Sequence, residues 1–524
     1  MSLRRIVIPS RKQYPRLALD FLIKELSPYS EITNAYIDAK DQINLNETDF
    51  VLCSLASPLE YGDLLTFFQK YRIPSNGNER KDNSPLIVGG GIGFMNPEAL
   101  SRFFDIVVIG PNTEPIIELL QATTSNGRTR TLQEATKIPN LYIPSKVNFS
   151  FDSDKRYISN IDINYKFLRR SYPVRFSISS SGDNSQALLM PDVGCKYDCS
   201  FCQLTNFFPY TEANIKDLSG EIKRLATKGF KTLKITSADT LQHSNITEIL
   251  DSVKENGMGA AFGSARFSGL NYDILSKLVQ IHSPRNNSYL YRKPPRNEKG
   301  SLTFGAESAS DKLLRLINKG IKVQTIRDRI VRATDMGISN IGFYFLIGLP
   351  TEENEDLDSI AHLIGFTYDN VRHLNGEIYI NVNPIIPSPN TPMQRVAMLS
   401  LSEYRTKLKY LEDKIKDNLG TEKFYESINF QSLDEGVYLF ETVTMRGDRR
   451  VGEFIEAVYE GGIKLEDLTE NLVSNYLVKL GLPSLEYFQS AIPFCKKLPW
   501  ELTIYPELVN KEKKFFERLG ENYD

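Results

Sequence analysis

The chain has 524 residues, room for roughly three domains of ordinary size. Its 63 Lys and Arg against 65 Asp and Glu leave a net charge of −2, which supplies no global positive field for nucleic acid or an anionic membrane. With 41% hydrophobic and 24% charged residues disorder is excluded as the main state, and no uncharged apolar run approaches the roughly 20 residues of a membrane helix.

The opening residues, Met1 to Pro9, lack a signal-peptide apolar region and read as a first strand, so the expected compartment is the cytoplasm. Apolar runs at 4–9, 32–37, 49–55, 86–90 and 105–109 predict strands, and helical spacing between them covers 16–26 and 61–71. Such alternation predicts an α/β, doubly wound parallel sheet over 1–125. Gly89-Gly90-Gly91 follows a strand, where glycine serves either a tight turn or the close approach of a ligand. Residues 126–172 lose periodicity and read as a connector. A second series over 173–395 places strands at 187–193, 232–236, 259–264, 301–305, 340–347 and 377–383. Helical patterns lie between them at 217–228, 246–256, 310–318 and 353–366. Six such units suit a partial (β/α)6 barrel, whose chemistry sits at the carboxyl ends of its strands. After Pro392 the strand signals stop, and 396–524 reads as a mainly helical extension with helices at 402–418, 451–459 and 466–480.

Five cysteines is an odd and low count, against a disulfide framework. Three of them fall in Gly194-Cys195-Lys196-Tyr197-Asp198-Cys199-Ser200-Phe201-Cys202, just after a predicted barrel strand. Clustered thiolates suit zinc or an iron–sulfur cluster. A zinc site wants a fourth ligand, yet the next cysteine is Cys495 and the first histidine is His243. Three thiolates on a four-iron cluster would leave one iron open.

At these residues the chain resembles the radical S-adenosylmethionine superfamily, whose signature is C-x3-C-x2-C with an aromatic, here Phe201, before the last cysteine. The resemblance implies a 4Fe-4S cluster on Cys195, Cys199 and Cys202, S-adenosylmethionine on the open iron, and an external one-electron reductant. It further implies cofactor contacts at the strand ends. Ser237-Ala238-Asp239 stands where the family has Gly-Gly-Glu, with Asp239 toward the methionine ammonium. Arg266 would pair the methionine carboxylate or Glu307, Glu307 would accept from the ribose hydroxyls, and Gly348-Leu349-Pro350 would turn beside the adenine. The N-terminal region resembles the cobalamin-binding subgroup at Ser54-Leu55, Gly89-Gly90 and Asn96-Pro97-Glu98. Pro384 to Pro392 and Arg446 to Gly452 extend that likeness. The subgroup's Asp-x-His-x-x-Gly loop is absent, so cobalamin would bind with no protein ligand below cobalt, near Arg11, Lys12 and Tyr14. The activity implied is methyl transfer to, or radical remodelling of, an unactivated carbon. The alternatives are cobalamin-independent carbon–carbon bond formation or rearrangement and a non-enzymatic iron–sulfur sensor. Lipids, natural products, tetrapyrroles and proteins remain open as substrates. The insertion at 282–299 holds Arg285, Arg292, Lys293, Arg296 and Lys299 with Tyr289 and Tyr291; it reads as a solvated loop or as a holder of an anionic ligand.

Overall fold

The computed structural model describes residues 4–10, 17–37, 43–122, 127–147, 186–281 and 301–520. The basic insertion at 282–299, the connector beyond 147, and Arg11, Lys12 and Tyr14 lie outside the described residues.

Strands β1 (Arg4–Ser10), β2 (Ser30–Tyr36), β3 (Phe50–Ser54), β4 (Leu86–Gly90), β5 (Ile106–Val108) and β6 (Leu141–Tyr142) form one sheet. Its order is β2-β1-β3-β4-β5-β6. Every pairing is parallel except β5 with β6. The central strands are apolar on both faces because both are covered: Ile8, Leu52 and Val88 pack toward one layer, and Val7, Val51 and Ile87 toward another. Chain order reverses between β1 and β3, and open α/β sheets bind ligands beyond the strand ends near such a reversal. The sixth strand comes from the stretch expected as connector. Two residues carry no alternation to read, and β6 is recognised only by its pairing with Val107 and Val108.

The second unit begins with β7 (Gln186–Leu189), the short hairpin β8 (Asp192–Val193) and β9 (Thr211–Glu212), then β10 (Thr232–Ile235) and β11 (Gly259–Phe262). It continues with β12 (Ser301–Glu307), β13 (Asn340–Ile347), β14 (Ile378–Pro384) and β15 (Ile428–Ser432). Strands β7, β10 and β11 pair in parallel, as do β12 to β15. Among the described residues only an Ala265–Phe304 bridge joins the two groups. Stacked rings strengthen that seam, with Phe267 and Phe304 centroids 3.9 Å apart. Among the described residues the result is an open arc of seven barrel strands, one more than expected. The seventh, β15, arises inside the segment expected to be helical; its Ile-Asn-Phe-Gln-Ser sequence alternates too briefly to stand out. The remaining C-terminal chain is helical, including Leu401–Leu419 with a Ser400–Glu403 capping box and Pro506–Leu519. Among the described residues no helix is long and apolar enough to cross a membrane.

The two α/β units are held together by the C-terminal segment. Asn96 Nδ2 donates to the Gly447 and Met445 carbonyls at 2.8 and 3.2 Å. Glu98, with no exposed surface, receives Arg449 Nε at 2.9 Å and the Tyr142 hydroxyl. Burial pushes the Glu98 carboxyl up while Arg449 pulls it back. Removing one partner of a buried pair leaves a charge without compensation. Arg449→Met is therefore expected to destabilise the fold by about 3–5 kcal/mol, read by urea unfolding through the buried Trp500. A loss within experimental error of zero would show that the pair does not hold these units together.

Candidate functional site

The cysteine loop leaves β8 through Gly194, whose φ of +77° and tight approach to the Phe208 carbonyl (2.5 Å from a would-be Cβ) exclude other residues. The chain then folds back, with the Cys202 N–H donating to the Cys199 carbonyl at 3.1 Å. Cys199 is buried, while Cys195 and Cys202 are partly exposed. Burial raises the Cys195 thiol and pushes Cys202 up to about 11, and the neighbouring thiols add to both. Iron binding would have to displace those protons. Among the described residues no three His, Cys, Asp or Glu side chains converge to hold a single metal ion. The three thiols share one another's field, and in an iron–sulfur cluster each thiolate takes its own iron. Phe201 packs against the cluster of Leu313, Leu316 and Phe515, with Lys319 Nζ 5.8 Å from its ring centre.

The other expected residues stand around the same mouth. Asp239 is 1% exposed; its Oδ1 accepts from the Leu241 and Arg266 backbone N–H groups, both at 3.1 Å. Its Oδ2 is buried and without a hydrogen-bond partner, an acceptor available to an ammonium group. Burial raises its carboxyl. Ser237 donates to Asp192 Oδ1 at 2.5 Å. Glu307 ends β12 with φ +63° and pairs with Lys319, Nζ to Oε1 2.8 Å. Gly305 leaves the room for that pair, since a Cβ there would sit 2.6 Å from Glu307 Oε1. Arg266 does not pair with Glu307: its Nη1 donates to Cys199 Sγ at 3.2 Å, and its guanidinium lies 3.9 Å from the Tyr197 ring centre. Gly348, φ +78°, turns the chain after β13 and donates to Glu352 Oε1 at 2.9 Å.

A cavity of about 510 Å³ opens between the units. Ser54, Gly89 and Gly90 line it from the carboxyl ends of β3 and β4; Met190, Asp192, Gly194, Phe208 and Ser237 line it from the barrel. The expected ligand-facing Leu55 is absent from the lining. It is buried, and its backbone N–H bonds the Gly90 carbonyl at 3.0 Å. Gly89 has a packing reason as well: a Cβ there would meet Phe94 at 2.3 Å.

Several participants carry no signature in the sequence. Asp192 is 1% exposed, and Gln242 Nε2 donates to its Oδ1 at 2.5 Å and to the Gly194 carbonyl at 3.1 Å. Lys511 donates to Asp198 at 2.7 Å and Arg518 to Ser200 Oγ at 3.0 Å, so the last helix braces the cysteine loop. A carboxylate three residues before the first cysteine was the one local hint. Burial pushes Asp192 up to about 6, against the hydrogen bonds from Ser237 and Gln242. A carboxyl raised in the folded state favours folding below its unfolded value of about 4. That contribution is lost as pH rises through about 6. Asp192→Asn should therefore gain stability relative to the parent between pH 4 and 7, measured by urea unfolding of the iron-free chains. A constant difference across that range would remove Asp192 from the buried titrating groups.

Comparison with known proteins agrees with this arrangement. The family model for the N-terminal region of radical SAM proteins matches residues 29–144, and that of the radical SAM superfamily matches 191–364. An uncharacterized protein of Methanocaldococcus jannaschii is 22% identical over 84% of this chain and 87% of its own. In fold, the chain is similar to the radical S-adenosylmethionine methyltransferase TsrM from Kitasatospora setae, solved with cobalamin and a [4Fe-4S] cluster. The TM-score is 0.52 at 14% identity, over 88% of this chain and 100% of that one. It is also similar to the cobalamin-dependent radical enzyme OxsB, solved with aqua-cobalamin and S-adenosylmethionine. There the TM-score is 0.50 at 12% identity, over 99% of this chain and 84% of that one. The two family models together take in more than half of the sequence, and with the three-cysteine loop at the barrel mouth they make the chain an enzyme of the radical S-adenosylmethionine superfamily.

Proposed function

We propose that the protein is a cobalamin-dependent radical S-adenosylmethionine enzyme that methylates or remodels an unactivated carbon. The observation that carries this reading is the cavity between the units. It joins the strand ends of a doubly wound sheet, where such folds bind ligands, to Gly194 and Ser237 beside the cysteine loop. The likeness in fold to two cobalamin-bound radical enzymes supports it.

In this reading Cys195, Cys199 and Cys202 hold three irons, Asp239 Oδ2 accepts from the methionine ammonium, and Glu307 accepts from the ribose. Gly348 places its turn beside the adenine. Ser54, Gly89 and Gly90 form the floor for the corrin. When bound, the cluster with S-adenosylmethionine supplies one-electron carbon–sulfur cleavage, and cobalamin supplies a transferable methyl group. The chain's own part is to orient and to keep water away: Met190, Phe207 and Phe208 wall the cavity with apolar surface on the barrel side. Both nitrogens of His243 are engaged, Nε2 with the Ala213 carbonyl at 3.1 Å and Nδ1 with the Asn245 N–H at 3.0 Å. The first 242 residues contain no histidine, so cobalt would have no imidazole from that part of the chain. Free thiols and a one-electron donor call for a reducing compartment, the cytoplasm.

The test is anaerobic purification with added hydroxocobalamin, followed by iron, sulfide and cobalt assays and a spectrum. Stoichiometric cobalt in a base-off form, with iron lost when Cys195, Cys199 or Cys202 is replaced by Ala, is the expected result. Iron without cobalt would shift the reading to cobalamin-independent carbon–carbon chemistry, and no reductive cleavage of S-adenosylmethionine would leave an iron–sulfur sensor. Separately, Glu307→Gln removes a charge-assisted hydrogen bond worth about 1.5–3 kcal/mol. It should weaken S-adenosylmethionine binding roughly ten- to hundredfold with iron unchanged. Unaltered affinity would place Glu307 outside the ribose site.

A further inference from the structure

We propose that Arg266 sets the reduction potential of the iron–sulfur cluster by donating a hydrogen bond to the sulfur of Cys199. This rests on the cluster assignment above and concerns a residue that the resemblance assigned to the methionine carboxylate or to Glu307. Glu307 is taken by Lys319, at 2.8 Å. Arg266 follows β11 and is fixed three ways. Its backbone N–H is held by Asp239 Oδ1 at 3.1 Å, its guanidinium lies on Tyr197, and its Nη1 reaches Cys199 Sγ at 3.2 Å. Arg266 is 8% exposed and Cys199 9%, so water screens the contact weakly.

The direction of the effect follows from charge. An electron from the external donor adds one negative charge to a cluster whose thiolates share it. A fixed cationic N–H donor at one of those sulfurs stabilises the reduced form more than the oxidised form, which raises the potential. Stacking on Tyr197 holds the planar fork in place, which a lysine ammonium cannot copy. Arg266 is thus a positioning residue for the cluster's electrostatics, and it makes reduction easier before any substrate arrives.

The experiment is a redox titration of the reconstituted full-length enzyme without S-adenosylmethionine, followed by the electron paramagnetic signal of the reduced cluster. Iron and sulfide are assayed in parallel. Arg266→Gln should shift the midpoint to lower potential with iron content unchanged, and Arg266→Lys should fall between it and the parent. Tyr197→Leu, which removes the stacking ring, should lower it slightly. If Arg266→Gln loses iron, Arg266→Lys and Tyr197→Leu decide the matter by the same shift. Identical midpoints in all iron-loaded forms would overturn the proposal. Identical midpoints with weakened S-adenosylmethionine binding would overturn it too, and would return Arg266 to the methionine carboxylate. A parent enzyme without a reducible four-iron signal is a different failure, that of the cluster assignment itself.

Discussion

Glu98 is buried where the first sheet meets the C-terminal segment, and everything at the site depends on that meeting. A carboxylate in such a place is costly unless its charge is matched. The match comes from Arg449, some 350 positions along the chain, and from Tyr142 on the edge strand of the first sheet. Asn96 adds bonds to the Gly447 and Met445 carbonyls, and Thr503 Oγ1 reaches the Met95 carbonyl at 2.9 Å. These contacts fix the loop after β4 against the end of the molecule. The carboxyl ends of β3 and β4 are thereby turned toward the barrel mouth, and the cavity exists because two sets of parallel strand ends face each other.

The C-terminal segment has a second hold, on the cysteine loop. Lys511 and Arg518, one turn and three turns into the same face of the last helix, reach Asp198 and Ser200. Asn206, just past the third cysteine, bonds the Asn390 carbonyl at 2.8 Å. Asn390 in turn donates to Thr503 Oγ1 at 2.6 Å. A loop of three thiols has few apolar contacts of its own, and such loops open at low cost. Here its position is over-determined by bonds from the barrel and from the far end of the chain. That couples the geometry of the cysteine loop to the docking of the first sheet through one connected set of polar contacts.

Much of this was legible in the sequence, because the signals were local. Strands β4 and β13 coincide with the apolar runs that predicted them, since each is buried on both faces and nearly continuous in hydrophobicity. The three cysteines stood out by their spacing after a strand, and Asp239 and Glu307 were singled out only through the family resemblance which that loop carries. What escaped was non-local. Strand β6 has two residues and β15 five, too few for a period. Lys319 closes on Glu307 across 12 positions, and Arg266 chooses Cys199 over Glu307 across 67; no pattern in a single chain ranks such partners. Gly89 shows a subtler limit. It does line the cavity, yet Phe94 already demands a glycine there, so its identity reports packing whether or not a ligand approaches.

The barrel mouth is also where the backbone departs from ordinary conformations. Gly194 (+77°), Glu307 (+63°), Gly348 (+78°) and Thr351 (+62°) all take positive φ, and each lies at or just beyond a strand end. Such residues reverse the chain sharply, which lets loops fold over the strand ends instead of running away from them. Glycine does this at little cost, whereas a residue with a side chain bears about 1–3 kcal/mol of strain. At Glu307 the strain has an identifiable return. The register shift between Gly305 and Glu307 turns the carboxylate onto Lys319, and both charges are buried with their partner in place. A carboxylate held in this way is oriented before any ligand binds. Preorganisation of this kind, at Glu307 by strain and at Arg266 by stacking on Tyr197, fixes charge at the mouth of the barrel in advance.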